Sequence, residues 1–213
     1  MRWIGRTTKS LIIIGLLITY SASIPVTPIS AAAREYDFVW VAPDRVNDYP
    51  DYSYVLVGRN NDIGEDMYVC QAYIETVVDL GYHPGKLVLS NSRCYVSFGG
   101  SEWAFLPERY EVLLSHTRSY SWVDGPFSYI DLTTNSYNPY STLYNRTTGA
   151  YRLYSCAVHL SGVQAGKLSF LSGAGICHIP YNGQELNYTS NYSVLIGTLP
   201  PERYEIFLAI IRR

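Results

Sequence analysis

An all-β fold, with two homologous halves packed as a sandwich or flattened barrel, is what this sequence predicts, and three observations carry the prediction. Short runs alternate apolar and polar residues, as in Tyr110-Glu111-Val112-Leu113-Leu114 and Tyr151-Arg152-Leu153-Tyr154-Ser155-Cys156-Ala157-Val158, and a period of two marks half-buried strands. Gly, Pro, Asn and Asp punctuate the runs, as in Asn60-Asn61-Asp62-Ile63-Gly64 and Tyr181-Asn182-Gly183, which is the chemistry of tight turns. The same ordered set of residues then occurs twice.

At the N-terminus, Arg2, Arg6 and Lys9 precede an apolar run from Leu11 to Tyr20, and Ala31-Ala32-Ala33 supplies small residues for cleavage. This is the layout of a secretory signal peptide spanning residues 1–33. Ser21, Ser23, Pro25 and Pro28 break the run before it reaches the roughly 20 apolar residues of a bilayer span, so no membrane anchor is expected. The same run is the chain's one expected helix.

The first half, residues 34–115, reads Tyr68-Val69-Cys70, then Pro84-Gly85-Lys86-Leu87, then Cys94-Tyr95-Val96-Ser97-Phe98-Gly99-Gly100, then Glu102. The second, from residue 116, answers with Tyr154-Ser155-Cys156, Ala165-Gly166-Lys167-Leu168, Cys177-His178-Ile179-Pro180-Tyr181-Asn182-Gly183 and Glu185. Trp40-Val41 matches Trp122-Val123, and Tyr110-Glu111-Val112-Leu113 matches Tyr192-Ser193-Val194-Leu195. A near-constant shift over so many positions is an internal duplication. Leu199 to Phe207 echoes Leu106 to Leu113 once more, and predicts an extra strand, within a second unit of 116–213, that covers an exposed sheet edge.

Without residues 1–33 the chain holds 13 basic and 18 acidic side chains. That balance excludes the basic stripe that nucleic acid requires, so no nucleic-acid partner is expected. Tyrosine supplies 21 of the 213 residues, an amphipathic side chain suited to half-buried sheet faces. Four cysteines in a secreted chain imply disulfides, with three pairings open. Keeping the halves equivalent favours Cys70 with Cys94 and Cys156 with Cys177, each contributing on the order of 3 kcal/mol through loop closure. Sequons at Asn145, Asn187 and Asn191 predict glycosylation confined to the second half.

Motifs for catalysis are missing. Gly162 to Ser169 resembles a phosphate-binding loop, but has three residues between its glycines and Leu168 where a magnesium-binding hydroxyl belongs. Cys156, His159, Cys177 and His178 fail as a zinc set, because offsets of three and one put the paired side chains on opposite strand faces. No nucleophile signature occurs, and the chain is expected to be neither an enzyme nor a holder of metal or cofactor.

A sugar-binding set remains. A carboxylate or amide beside an ammonium can hold two neighbouring hydroxyls of a pyranose, while an aromatic ring packs on its C–H face. Asn61, Asp62 and Lys86, in an aromatic-rich half, supply those groups. The series from Trp40 and Gly64 through Tyr68-Val69-Cys70, Pro84-Gly85-Lys86, Cys94 to Glu102 and Tyr110 to Leu113 resembles one DM-nine repeat, and the second half resembles another. The resemblance implies an all-β fold whose repeats exchange strands, and roles in recognising microbial or parasite surfaces. Some family members are similar to mannose-binding lectins, in which an acidic residue ahead of the Tyr strand and the lysine of the Pro-Gly-Lys step hold the sugar. By position the lysine is Lys86 or Lys167, and the acidic place falls on Asn61 with Asp62 beside it, or on Thr147 with Thr148. The expectation is a secreted lectin for mannose-type glycans on cell or microbial surfaces, binding chiefly through the first repeat and gaining avidity as a homodimer. The alternative is a secreted structural or protein-interaction module without a sugar site.

Overall fold

A computed structural model describes residues 38–197 except 78, 117–119, 134–137, 146–148 and 172, all within the compact unit Arg34–Arg213. The signal segment, Thr147, Thr148 and the echoed strand at Leu199 to Phe207 lie outside the described residues.

In the first half the strands are β1 (Phe38–Val41), β2 (Ser53–Tyr54), β3 (Leu56–Asn60), β4 (Glu65–Glu75), β5 (Asp79–Val88), β6 (Arg93–Phe98), β7 (Ser101–Phe105) and β8 (Tyr110–Ser115). The second half has β9 (Tyr120–Asp124), β10 (Tyr140–Asn145), β11 (Gly149–His159), β12 (Val163–Leu171), β13 (Ala174–Tyr181), β14 (Gln184–Tyr188) and β15 (Ser193–Gly197). They join one antiparallel sheet in which twelve follow the order β1-β8-β4-β5-β6-β7-β14-β13-β12-β11-β15-β9, while β2 pairs with β8, β3 with β4, and β10 with both β11 and β5. This order reads the same way from either end once each strand is replaced by its repeat counterpart. The duplication seen in sequence is therefore an approximate two-fold relation about the β7/β14 junction, where Ser101 pairs with Gln184.

The two ends of the sheet fold over onto each other. Val55, Met67, Val69 and Leu113 of the first half pack with Ala157, Ala165 and Leu195 of the second in one shared core. Each half keeps a further core on its other face, around Cys70 and Cys94 in one and Cys156 and Cys177 in the other. Both disulfides are formed, Cys70 with Cys94 and Cys156 with Cys177. At the border between halves β10 pairs with the start of β5, and Asn60 at the end of β3 bridges to Gly162. The turns after β3 and before β12 are thereby brought side by side.

Three short helical elements among the described residues depart from the expectation of a helix only at Leu11 to Tyr20, namely 3-10 turns at Pro43–Asp48 and Pro107–Arg109 and one α-helical turn. A short helix α1 (Tyr129–Thr133) follows Ser128, whose N–H and hydroxyl both donate to Asp131 at 2.8 Å while Asp131 N–H returns a bond to the Ser128 hydroxyl at 3.3 Å. Such a reciprocal cap sustains a single turn, which is too short to show helical periodicity in sequence.

Candidate binding site

The Gly-Lys step is present twice for a steric reason. A Cβ on Gly85 would lie 2.1 Å from the Tyr95 carbonyl oxygen, and one on Gly166 would lie 1.9 Å from that of His178. Only glycine allows the neighbouring strand so close. The lysine that follows is then directed across the interface between halves.

Lys86 is 5 % exposed. Its ammonium donates to the Pro180 carbonyl at 2.6 Å and the Gln164 side-chain carbonyl at 2.7 Å, both in the second half, and lies 3.5 Å from Glu102 Oε1. Two of its three N–H groups are thus committed to short bonds and the third meets a longer contact. The ammonium also sits 5.9 Å from the Tyr95 ring centroid and 5.6 Å from that of Tyr181. Burial lowers the Lys86 pKa from its ordinary value, against the opposing pull of Glu102 and then Asp62. Glu102 Oε2 is itself fixed by the Gly183 N–H at 2.8 Å.

Across from Lys86 lies Asp62. The side-chain oxygen of Asn60 accepts the Asp62 N–H at 2.9 Å, an Asx turn that aims the next carboxylate. One Asp62 oxygen accepts from the Ser161 hydroxyl and the other from the Tyr181 hydroxyl at 2.9 Å. These bonds, Ser161 first and Tyr181 next, hold the Asp62 pKa below its ordinary value. The bond to Asp62 in turn raises the Tyr181 phenol. Asp62, Lys86, Tyr95, Glu102 and Tyr181 line one open cleft of about 230 Å³. Asn61 is exposed, and its N–H donates to the Ser161 carbonyl at 3.1 Å, while Asn60 and Asp62 form the cleft wall at this corner.

Lys167 repeats the joint without repeating the surroundings. It is 7 % exposed and donates to the Ser97 carbonyl, with Glu185 Oε1 at 3.4 Å and the Phe98 ring centroid at 5.4 Å. Glu185 Oε2 accepts the Gly100 N–H at 2.7 Å, mirroring Glu102 and Gly183. Burial again lowers the lysine pKa. Burial pushes the Glu185 carboxyl up, but hydrogen bonding to His178, the Lys167 charge and the Gly100 N–H outweigh it and bring it to about 2. Where Tyr95 stands beside Lys86, His178 stands beside Lys167. That imidazole is tied to Ser169 at 2.7 Å, Asn187 at 2.6 Å and Glu185 at 3.3 Å. Gln164, the partner of Lys86, has as its repeat counterpart His83, a buried ring whose nitrogens find no partner among the described residues. Burial, and then the Lys167 charge, depress the His83 pKa to about 3.

The DM9 repeat model matches residues 60–168, just over half of the chain. The chain belongs to the DM9 repeat family. No curated protein matches it. The matched segment of this DM9 chain begins at Asn60, ahead of Asp62, and ends just past Lys167, so it contains both Gly-Lys steps and the Ser161 and Gln164 that complete the first site. Family membership is consistent with a carbohydrate-binding or recognition role.

Sequence reading missed Ser161, Gln164 and Tyr181 as parts of the first site, because they arrive from the other half through the fold. The 83-residue shift shared by Glu102 and Glu185, and by Phe98 and Tyr181, was the available signal. Of these, Phe98 and Tyr181 are the rings that each half lends to the lysine of the other, whereas Glu102 and Glu185 accompany the lysine of their own half. Of the remaining candidates, Asn187 and Asn191 are exposed, only the main chain of Asn145 is described, and no helix among the described residues is long and apolar enough to cross a membrane.

Proposed function

We propose that this DM9 chain is a secreted carbohydrate-recognition protein that holds one hexose ring of a mannose-type glycan in the cleft between Asp62 and Lys86, with no reaction catalysed. The observation that carries this reading is the convergence of an oriented carboxylate, an ammonium with one loosely engaged N–H, and two tyrosine rings in a single open cleft. Vicinal hydroxyls both donate and accept, and Asp62 and Glu102 oxygens can take their protons while the Lys86 N–H facing Glu102 turns to a sugar oxygen. A volume of about 230 Å³, below the usual range for extended ligands, suits a single ring. One shallow site gives roughly millimolar affinity, about −4 kcal/mol, so useful binding calls for multivalent display such as a homodimer on a microbial surface. Two disulfides support an extracellular setting, and N-glycans at Asn145, Asn187 and Asn191 fit the same reading. A glycan at Asn187 would leave the protein beside His178 and Lys167, and would crowd the second lysine rather than the first.

Mannan titration of wild type against Asp62→Asn tests the assignment. Asp62 is on the surface, so the variant is expected to keep its melting temperature and lose binding at least tenfold, roughly the 1.4 kcal/mol of one charge-assisted hydrogen bond. Equal binding by both proteins would remove the site. Binding should also fall on the alkaline side at lower pH than an ordinary lysine would dictate, because burial depresses Lys86.

A further inference from the structure

We propose that a second cleft, on the first half alone, is a docking site for an arginine- or lysine-bearing peptide segment of a protein partner. It measures about 780 Å³ and is bounded by β4, β5 and the Pro107–Arg109 turn that leads into β8. This is space for more than one side chain, unlike the sugar cleft.

Two kinds of group meet in it. Tyr73 and Tyr82 are cross-strand partners whose rings lie 5.3 Å apart, edge to face, and Tyr73 is 37 % exposed. Asp44, Glu108 and Glu111 bring three carboxylates to the same walls, and no ion pair among the described residues neutralises any of them. The one cation there, Arg109, lies 5.7 Å from the Phe105 ring centroid. Rings with electron-rich faces beside uncompensated carboxylates attract a cation twice over, by the ring quadrupole and by charge.

Glu111 is also set in place from within. The buried Ser141 hydroxyl donates to Gln71 Oε1 at 2.6 Å, and the buried Gln71 donates through Nε2 to Glu111 Oε2 at 2.6 Å. Ser141 belongs to β10 of the second half, so the orientation of this carboxylate is imposed across the interface between halves. A preset acceptor spends less entropy on binding than a free surface glutamate.

The fold does not require these residues. At matched positions the second half carries His159 for Tyr73, Val163 for Tyr82, Ala157 for Gln71, Ser193 for Glu111 and Asn191 for Arg109. The same strands pair in the same order there without the aromatic pair or the acids. The cleft is thus an addition to one copy of a duplicated scaffold, with a chemistry distinct from that of the sugar cleft.

Calorimetric titration with a capped tetraarginine peptide tests the assignment, using an uncharged glycine-serine peptide and mannose oligomers as comparison ligands. Wild type is expected to bind the arginine peptide alone at this site, more weakly as salt rises. Glu111→Gln should weaken binding roughly tenfold, as a charged partner is lost, and Tyr73→Ala by roughly threefold, as a cation–π contact is lost. Asp66→Asn, which removes one exposed carboxylate elsewhere, should leave it within error. The proposal is overturned if the Glu111 and Tyr73 variants bind like wild type, if Asp66→Asn weakens binding as much as Glu111→Gln, or if Tyr73→Ala abolishes mannose-oligomer rather than peptide binding. Circular dichroism of the wild type and the three variants establishes that all four proteins are folded.

Discussion

Lys86 and Lys167 occupy the same place in two copies of one scaffold, and the difference between them lies in what stands opposite. Each ammonium donates to a main-chain carbonyl of the other half, and each is accompanied by a glutamate whose second oxygen takes a glycine N–H from the other half. That much is a joint between the repeats. Lys86 then faces Asp62 and two tyrosines across open space, whereas Lys167 faces a histidine already bonded to Ser169 and Asn187. In both copies the buried lysine is a structural tie, and only around Lys86 does the opposite wall supply an oriented carboxylate and two rings.

The largest effect should come from breaking the joint in both copies. Gly85→Ala and Gly166→Ala each force a strand carbonyl to move by about an ångström or more, and a loss of roughly 3 kcal/mol or more is expected from each, read by urea unfolding. If one glycine tolerates alanine and the other does not, the two joints are not equivalent.

Acid should come next, and it separates the copies. His83 is buried neutral with its pKa depressed to about 3, so below its ordinary value of 6.5 the unfolded chain takes a proton that the folded ring refuses. Stability is complete above about pH 6.5 and declines as pH falls toward 3, by on the order of 3 kcal/mol at pH 4. Glu185, held at about 2, adds a loss in the same direction as pH falls from its ordinary 4.5. His83→Gln installs the residue that the second half has at this position, Gln164, and should flatten the His83 part of the decline in melting temperature between pH 7 and 4. An unchanged acid limb would contradict the burial argument.

The smallest effect concerns the wall opposite Lys86. Tyr181→Phe removes one of two hydroxyl donors to Asp62, and should weaken mannan binding only severalfold, about 1 kcal/mol, without moving the melting temperature. A loss as large as that of Asp62→Asn would mean that the tyrosine hydroxyl contacts the sugar itself.

Much of the fold could be read in the sequence because its signals are local or repeated. Alternation along Tyr110 to Leu114 and along β11 marks strands, and the repeat equivalence chose the disulfide pairs that are present. The helix after Ser128 could not be read, since one capped turn leaves no period to detect. The site was half legible. Asp62 and Lys86 stand out by turn chemistry and motif, but Ser161, Gln164, Pro180 and Tyr181 reach them only through packing of the second half on the first, across 78 residues of chain in the case of Gln164. Nor does composition reveal that the motif glycines exist to admit a neighbouring carbonyl.

Titration of methyl mannoside against Lys86→Met and Lys167→Met, side by side and followed by NMR, tests the division between site and joint most directly. Both variants lose an equivalent buried ammonium, so their stabilities should fall together. Binding should disappear in Lys86→Met and persist in folded Lys167→Met; loss in both alike, or survival in Lys86→Met, would contradict it.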